Sequence, residues 1–295
     1  MNTTVISNGV FMLGDCFERM RELPDASVDM VLADLPYGTT QNKWDSVLDL
    51  AQLWPLLRSV CKPNAAMCFT AQQPFTTTLI NSNPREFRYD VVWRKSRPTG
   101  FLNANKMPLK QHESVLVFYI ALPTYNPQKW QGVPYSVTAG GRVKSTNYGN
   151  TTREKSVRGV TERHPTSVIE FGSLNPNVNK RYPLHPTQKP VDLLEYLIRT
   201  YTNPGDLVLD PTAGALTTAV AAHTTGRRAV CVEIRRRYVD IGVQRLVDAG
   251  AEWRLASENP DCDQFDEPDV AEDAEDAEDA VVQLDMFARM EDPGR

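Results

Sequence analysis

The sequence predicts an α/β protein built on a doubly wound, mostly parallel sheet with helices on both faces. Three observations lead there. Val28-Asp29-Met30-Val31-Leu32-Ala33, Leu207-Val208-Leu209 and Ala229-Val230-Cys231-Val232 are near-continuous apolar runs, the composition of strands buried on both faces. Between such runs stand stretches whose apolar residues recur at helical spacing. Two of the runs end in an acid and a turn, Asp34-Leu35-Pro36-Tyr37 and Asp210-Pro211-Thr212-Ala213-Gly214. Open α/β sheets gather their ligands at the carboxyl ends of strands, and a strand, a small-residue loop and a helix start suit a nucleotide-like cofactor.

Taken in order, Val5 to Leu13 reads as a strand ended by Gly14-Asp15, and Cys16 to Leu23 as a short helix. Val28 to Ala33 is a buried parallel strand. Ser46 to Cys61 carries Val47, Leu48, Leu50, Leu53, Leu56, Leu57 and Val60 at helical spacing. Ala65 to Phe69, Tyr89 to Trp93 and Ser114 to Tyr119 are strand candidates. Pro123 to Pro183 then turns polar, glycine-rich and basic with little periodicity, while Tyr125, Trp130, Tyr135, Tyr148, Phe171 and Tyr182 argue for partial order. Pro190 to Thr202 is a helix with Leu193, Leu194, Leu197 and Ile198 on one face. Leu207 to Asp210 is a strand, Leu216 to Thr225 a helix, Ala229 to Val232 a strand and Arg235 to Ala249 the last clear helix. After Ala256 disorder is expected, because Ala271 to Ala280 repeats Ala-Glu-Asp units with no core-forming residue.

A length of 295 residues holds one large α/β domain, and motifs in both halves favour one domain with an insertion over two domains. The net charge of −5 conceals an asymmetry: residues 258–295 carry 15 acids and 2 bases, which leaves residues 1–257 with a net charge of +8. A basic body fits a polyanion partner, against the plainer reading of a mildly basic surface. Cys16, Cys61, Cys68, Cys231 and Cys262 are odd in number and unpatterned, as expected of reduced thiols without a metal. No apolar run is long enough to cross a membrane, and Met1-Asn2-Thr3-Thr4 does not begin a signal peptide, so a cytoplasmic protein is expected.

Asp34-Leu35-Pro36-Tyr37 resembles the Asp-Pro-Pro-Tyr motif of DNA methyltransferases that modify exocyclic amino groups. His185-Pro186-Thr187-Gln188-Lys189-Pro190, running into Asp210-Pro211, resembles the cofactor half of the same family. The catalytic motif preceding the cofactor motif is the order of that family's beta group. The resemblance covers residues 8–120 and 183–247. It implies a Rossmann-like, permuted methyltransferase fold: a catalytic half (1–122), an inserted target-recognition region (123–183), a cofactor-binding half (184–256) and an acidic tail (257–295).

The implied cofactor is S-adenosylmethionine, and the implied reaction is methylation of the N6 of adenine in a base flipped out of double-stranded DNA. A nucleobase amino group is a poor nucleophile because its lone pair is delocalised into the ring, so it must be oriented. Asp34 is assigned as one N–H acceptor and the carbonyl within Leu35-Pro36 as the other, held by the fixed φ of Pro36. Tyr37 is expected to stack on the flipped base. Asp at the first position favours adenine N6; N4 of cytosine is the alternative. Glu233 ends its strand about 20 residues past the loop, where a carboxylate accepts ribose hydroxyls. Asp210 is placed near the methionine amino group, with Thr212 and Gly214 in the loop and Thr217 and Thr218 toward the carboxylate. Asp15 resembles the adenine-binding strand end, against a plain turn Asp. Thr187 and Lys189 resemble methionine contacts, against a solvated lysine in the latter case.

Three positions depart from the family pattern. Leu35 replaces a proline, Cys231 stands where glycine is common, and Leu216 replaces a glycine whose missing side chain lets the cofactor approach. From Leu216 follows a second reading, a catalytically impaired DNA-binding relic. A protein or RNA substrate is disfavoured by the motif order and the basic insertion.

DNA contacts are expected from Lys95 and Arg97 and, in the insertion, from Arg142, Lys144, Arg153, Lys155, Arg158, Arg163, Lys180 and Arg181, to phosphates or guanine edges. The alternative is a basic surface loop. Gln283-Leu284-Asp285-Met286-Phe287 resembles the pentapeptide that binds the bacterial sliding clamp, against a patch that folds back on the body. The expected setting is a bacterial or phage-infected cell, near the nucleoid, as monomer or homodimer. An orphan enzyme or the modification half of a restriction-modification pair fits, and no nuclease motif occurs.

Overall fold

A computed structural model describes residues 3–6, 9–38, 47–138, 141–145, 149–153, 156–172, 188–251 and 253–255. In chain order its elements are β1 (Thr3–Ile6), β2 (Gly9–Leu13), α1 (Cys16–Met20), β3 (Val28–Ala33), α2 (Leu50–Val60), β4 (Cys61–Ala71), α3 (Phe75–Ser82), β5 (Phe87–Thr99) and β6 (Lys110–Phe118). Then come β7 (Trp130–Val137), β8 (Gly141–Ser145), β9 (Gly149–Arg153), β10 (Val157–Arg163) and β11 (Val168–Phe171). The chain continues with α4 (Val191–Tyr201), β12 (Leu207–Asp210), α5 (Thr217–Thr224), β13 (Arg228–Glu233), α6 (Arg236–Asp248) and β14 (Trp253–Leu255).

A 10-stranded sheet takes the order β11-β5-β6-β4-β3-β12-β13-β2-β1-β14. Its centre, from β4 to β2, is parallel throughout; β6 and β1 run against their neighbours. The sheet order reverses direction at β3 and β12. Their pairing, Val208 to Met30 and Leu209 to Val31, sets the carboxyl ends of two strands from opposite halves of the chain side by side.

The apolar runs sit in the sheet's interior and alternate between two cores. Met30 and Leu32 of β3, Val208 of β12, and Ala229 and Cys231 of β13 face Leu193, Leu197, Ala219 and Leu246 from α4, α5 and α6. Val31, Ala33, Leu209, Val230 and Val232 face Met20, Leu53, Leu57 and Leu79 from α1, α2 and α3. This two-sided burial explains why the strands read as continuous apolar runs. Cys16, Cys61, Cys68 and Cys231 are free, buried thiols. No helix among the described residues is long and apolar enough to cross a membrane.

Several elements differ from the sequence expectation. The Val5–Leu13 strand is two, β1 and β2, paired antiparallel. Gly9 lets β2 lie close to β13, since a Cβ there would stand 2.9 Å from the Ala229 carbonyl oxygen. α3 and β14 were not expected: Phe75-Thr76-Thr77-Thr78 carries no helix-start signal, and β14 has three residues. The described residues between 123 and 172 are more regular than their composition suggests, with β7 paired to β10, β8 to β9, and β11 added to the main sheet beside β5.

Candidate active site

Asp34 follows β3 directly. Because β3 pairs with β4 through Ala33 and Phe69, Thr70 of β4 comes to lie beside it. Asp34 Oδ1 accepts from the Tyr37 hydroxyl at 2.6 Å and from Thr70 Oγ1 at 2.5 Å, while Oδ2 accepts from Lys189 Nζ at 2.5 Å. The buried Tyr37 hydroxyl is pushed well above its ordinary pKa, first by desolvation and then by the charges of Asp34 and Glu113. Its ring stacks on Phe75 of α3, centroids 5.2 Å apart, and Lys189 Nζ lies 5.6 Å from the ring centre. Tyr37 in this arrangement also donates to Asp34, and the unexpected helix α3 supplies Phe75 as a partner for one face of its ring.

Lys189 also departs from expectation. It lies buried between Asp34 and Glu113, whose Oε2 is 3.6 Å from Nζ. Burial alone would depress this ammonium; the two carboxylates outweigh it and hold the pKa above the usual lysine value. Glu113 was not singled out in the sequence. The pairing of Ser114 with Ala71 sets Glu113 just past the carboxyl end of β4, and Lys95 forms an ion pair with its Oε1. Lys95 is thus engaged inward, its ammonium 5.3 Å from the Trp93 ring centre. The readable signal for Glu113, as for Thr70, was a polar residue abutting an apolar strand run at the sheet's functional edge.

On the other side of the switch point, Asp210 is buried at the end of β12. Its Oδ1 accepts from the Thr212 N–H at 3.1 Å and its Oδ2 from Thr218 Oγ1 at 2.5 Å. Desolvation outweighs these bonds and lifts its pKa to about 7. Thr212 Oγ1 donates to the Asp34 carbonyl at 3.2 Å, tying the two loops across 178 residues of sequence. Glu233, ending β13, accepts from the N–H groups of Gly214 at 2.8 Å and Arg235 at 2.9 Å, and its pKa is raised chiefly by desolvation. Gly214 has φ +49°, a conformation that favours glycine. Thr217 Oγ1 accepts from Arg245 at 3.0 Å, and the same guanidinium donates to the Ala215 carbonyl. Asp15 caps α1, accepting from the N–H groups of Phe17 and Glu18, and the adjacent Gly14 N–H donates to the Glu233 carbonyl. The sheet therefore brings Asp34, Lys189, Thr212, Asp210, Gly214, Glu233 and Asp15 to one edge.

Leu216 corrects an expectation. Its backbone is left-handed at φ +55°, as a glycine's would be, yet its side chain is fully buried in the core against Gly242 of α6. The leucine points away from the loop's outer surface, so it does not obstruct a ligand there.

Of the expected DNA contacts, Arg97 and Arg158 are exposed. Arg163 instead lies over the Tyr135 ring at 4.0 Å and bonds the Val160 carbonyl. Arg142, Lys144 and Arg153 lie on β8 and β9 with their side chains outside the description. Thr187, Lys155, Lys180, Arg181 and the tail motif from Gln283 to Phe287 lie outside the described residues.

The edge is suited to S-adenosylmethionine by the chemistry of its donors. A desolvated carboxyl at Asp210 gains from a cationic amino group. A carboxylate offers about four acceptor positions, of which Glu233 uses two on backbone N–H groups, leaving capacity for hydroxyls.

Comparison with known proteins agrees in kind. The DNA methylase family matches residues 28–244. The DNA adenine methyltransferase YhdJ of Escherichia coli (strain K12) is 27% identical over 248 residues, covering 79% of this chain and 81% of that one. Among solved structures, the M1.HpyAVI–S-adenosylmethionine complex superposes with TM-score 0.52 at 20% identity, over 80% of this chain and 98% of that one. The cytosine-N4-specific PvuII DNA methyltransferase gives TM-score 0.58 at 17% identity, over 82% and 91%. At these identities the two structures speak for the fold alone.

Proposed function

The chain belongs to the DNA methylase family, the S-adenosylmethionine-dependent enzymes that methylate adenine N6 or cytosine N4, and from that premise we propose that it methylates the N6 of adenine in double-stranded DNA. The observation that carries the proposal is the juxtaposition of Asp34 with the Asp210 loop, joined by the Thr212 hydroxyl on the Asp34 carbonyl at 3.2 Å. An amino-group acceptor and a cofactor carboxyl then share one edge. The name of the adenine-methylating relative supports adenine over cytosine, as does Asp at the head of the motif.

Asp210, Gly214, Glu233 and Asp15 would hold S-adenosylmethionine, which when bound supplies an electrophilic methyl group on a sulfonium. Asp34 accepts one N–H of the target amine and a carbonyl of Leu35 or Pro36 the other, turning the nitrogen lone pair toward the methyl carbon. Asp34 would also take up the proton that the amine nitrogen sheds on methylation, along the same hydrogen bond. The base reaches this pocket by leaving the duplex, since its amino group is otherwise paired. Exposed Arg97 and Arg158 and the basic strands of 123–183 are the assigned DNA-contacting surface. Gln283 to Phe287 are assigned to docking on the sliding clamp, which would raise the local concentration of enzyme on DNA.

The test is to incubate the purified protein with cofactor and unmethylated DNA, digest the DNA, and identify the methylated nucleoside by mass spectrometry. N6-methyladenine that is lost in Asp34→Ala is the expected result. N4-methylcytosine would overturn the base assignment, and no product at saturating cofactor would favour the DNA-binding relic.

A further inference from the structure

Among the described residues, two buried acceptors at or next to Lys189 have no hydrogen-bond partner, Gln188 Oε1 and Glu113 Oε2. Glu113 Oε2 is sealed from solvent with none, although Glu113 Oε1 is ion-paired to Lys95. Leaving a buried carboxylate oxygen unmet is costly. Lys189 Nζ stands 3.6 Å away, too far for a good charged hydrogen bond, and is committed to Asp34 Oδ2 at 2.5 Å. Asp34 is at the same time the group that has to receive the target amine. Three of its roughly four acceptor positions are already taken, by Tyr37, Thr70 and Lys189. A strong cationic donor at Asp34 competes with a weakly polar N–H.

We propose that Glu113 is a second seat for the Lys189 ammonium, which passes from Asp34 to Glu113 as the nucleobase amino group docks. The passage is short: closing 3.6 Å to the 2.7–2.9 Å of a charged hydrogen bond takes about 0.8 Å of travel. The ammonium never stands unpaired in a buried place, because one carboxylate receives it as the other releases it. Lys95 fixes the Glu113 carboxylate, and the Tyr37 ring, its centre 5.6 Å from the ammonium, lies beside the two acids. Glu113 is on this account a positioning residue that acts through Lys189. The inference rests on Asp34 being the amine acceptor, as in the proposed function.

Two measurements separate this inference from that reading. The first needs no activity: the Lys189 side-chain titration followed by carbon-13 NMR. In Asp34→Asn the ammonium is expected to move to Glu113 and keep a pKa at or above the ordinary lysine value. In Asp34→Asn with Glu113→Gln, burial is unopposed and the pKa is expected to fall well below it. A fall in Asp34→Asn alone, comparable to that of the double variant, would overturn the second seat. The second is single-turnover methyl transfer at saturating cofactor and DNA. Glu113→Gln is expected to slow it by roughly tenfold or more with cofactor affinity within about twofold of wild type. In a Lys189→Met background the same change is expected to add less than about twofold. Independent, multiplying effects, or an unchanged rate in Glu113→Gln, would refute the relay. A wild-type protein that transfers no methyl group would defeat the functional proposal and leave the titration result standing.

Discussion

Changing Leu216 and Gly242, singly and together, offers a direct test of how the loop after β12 is built. A Cβ at Gly242 would lie 2.3 to 2.5 Å from Leu216 Cγ, Cβ and Cδ1, and Leu216 is wholly enclosed and has nowhere to swing. Gly242→Ala should gain about 1 kcal/mol of helix propensity, yet overpacking costs about 1–3 kcal/mol, so the substitution is expected to destabilise. Leu216→Gly removes the strain of a left-handed leucine, about 1–2 kcal/mol, and leaves a cavity costing about 3–5 kcal/mol. In the double variant the methyl has room, the left-handed position carries glycine and the helix interior carries alanine. The coupling between the two changes is therefore expected to be about 2–3 kcal/mol in favour of the double variant, read from urea unfolding midpoints at constant slope. Coupling within about 0.5 kcal/mol of zero would show that the two side chains do not share one space. Cofactor affinity of Leu216→Gly is a parallel reading. Little change is expected, since the leucine faces α6; a marked tightening would restore the obstructed-loop view.

Other expectations follow from the site. Burial lifts Asp210 to about 7 from an ordinary 3.8, so the unfolded chain binds fewer protons than the folded one between these values and stability falls as pH rises through that window. Asp210→Asn should therefore gain stability relative to wild type by about 2–3 kcal/mol more at pH 8 than at pH 5, in paired denaturation curves; a gain independent of pH would contradict this. Binding of a cationic amino group beside Asp210 should release a proton near pH 7, visible as calorimetric heats that depend on buffer ionisation enthalpy. Tyr37→Phe removes one of two donors to Asp34 Oδ1 and should lower the methylation rate by about tenfold while DNA affinity holds, measured in single-turnover assays; an equal loss of DNA affinity would assign Tyr37 to binding. Arg245→Met strips the Ala215 carbonyl and Thr217 hydroxyl of their donor and should weaken cofactor binding by about tenfold in titration calorimetry.

The central strands were legible because burial on both faces writes itself as unbroken apolar runs, and β3, β12 and β13 came out within a residue or two. Asp34, Asp210 and Glu233 were legible for the related reason that they interrupt such runs at their ends. What escaped was pairing across distance. Nothing local in Lys189 says that its ammonium lies on Asp34, 155 residues away, and nothing in Lys95 distinguishes an inward ion pair from a phosphate contact. Leu216 misled because the sequence shows a missing glycine but not the glycine at 242 that receives the side chain. β7 and β10 escaped because a hairpin whose residues are mostly exposed carries no apolar periodicity, and β11 because it is only four residues long.

The adjacency of β3 and β12 also sets a clock. Asp34 is translated early, but the threonine that braces its carbonyl is made 178 residues later. At about 5–20 residues per second of synthesis, roughly 10–35 seconds separate the two events. Throughout that interval β3 lacks one neighbour and presents an unpaired apolar edge, the kind of surface that chaperones hold and that misassembles if left bare. A chain that stalls or is truncated before β12 lacks Asp210, Thr212 and Glu233, so the edge that joins them to Asp34 is never assembled.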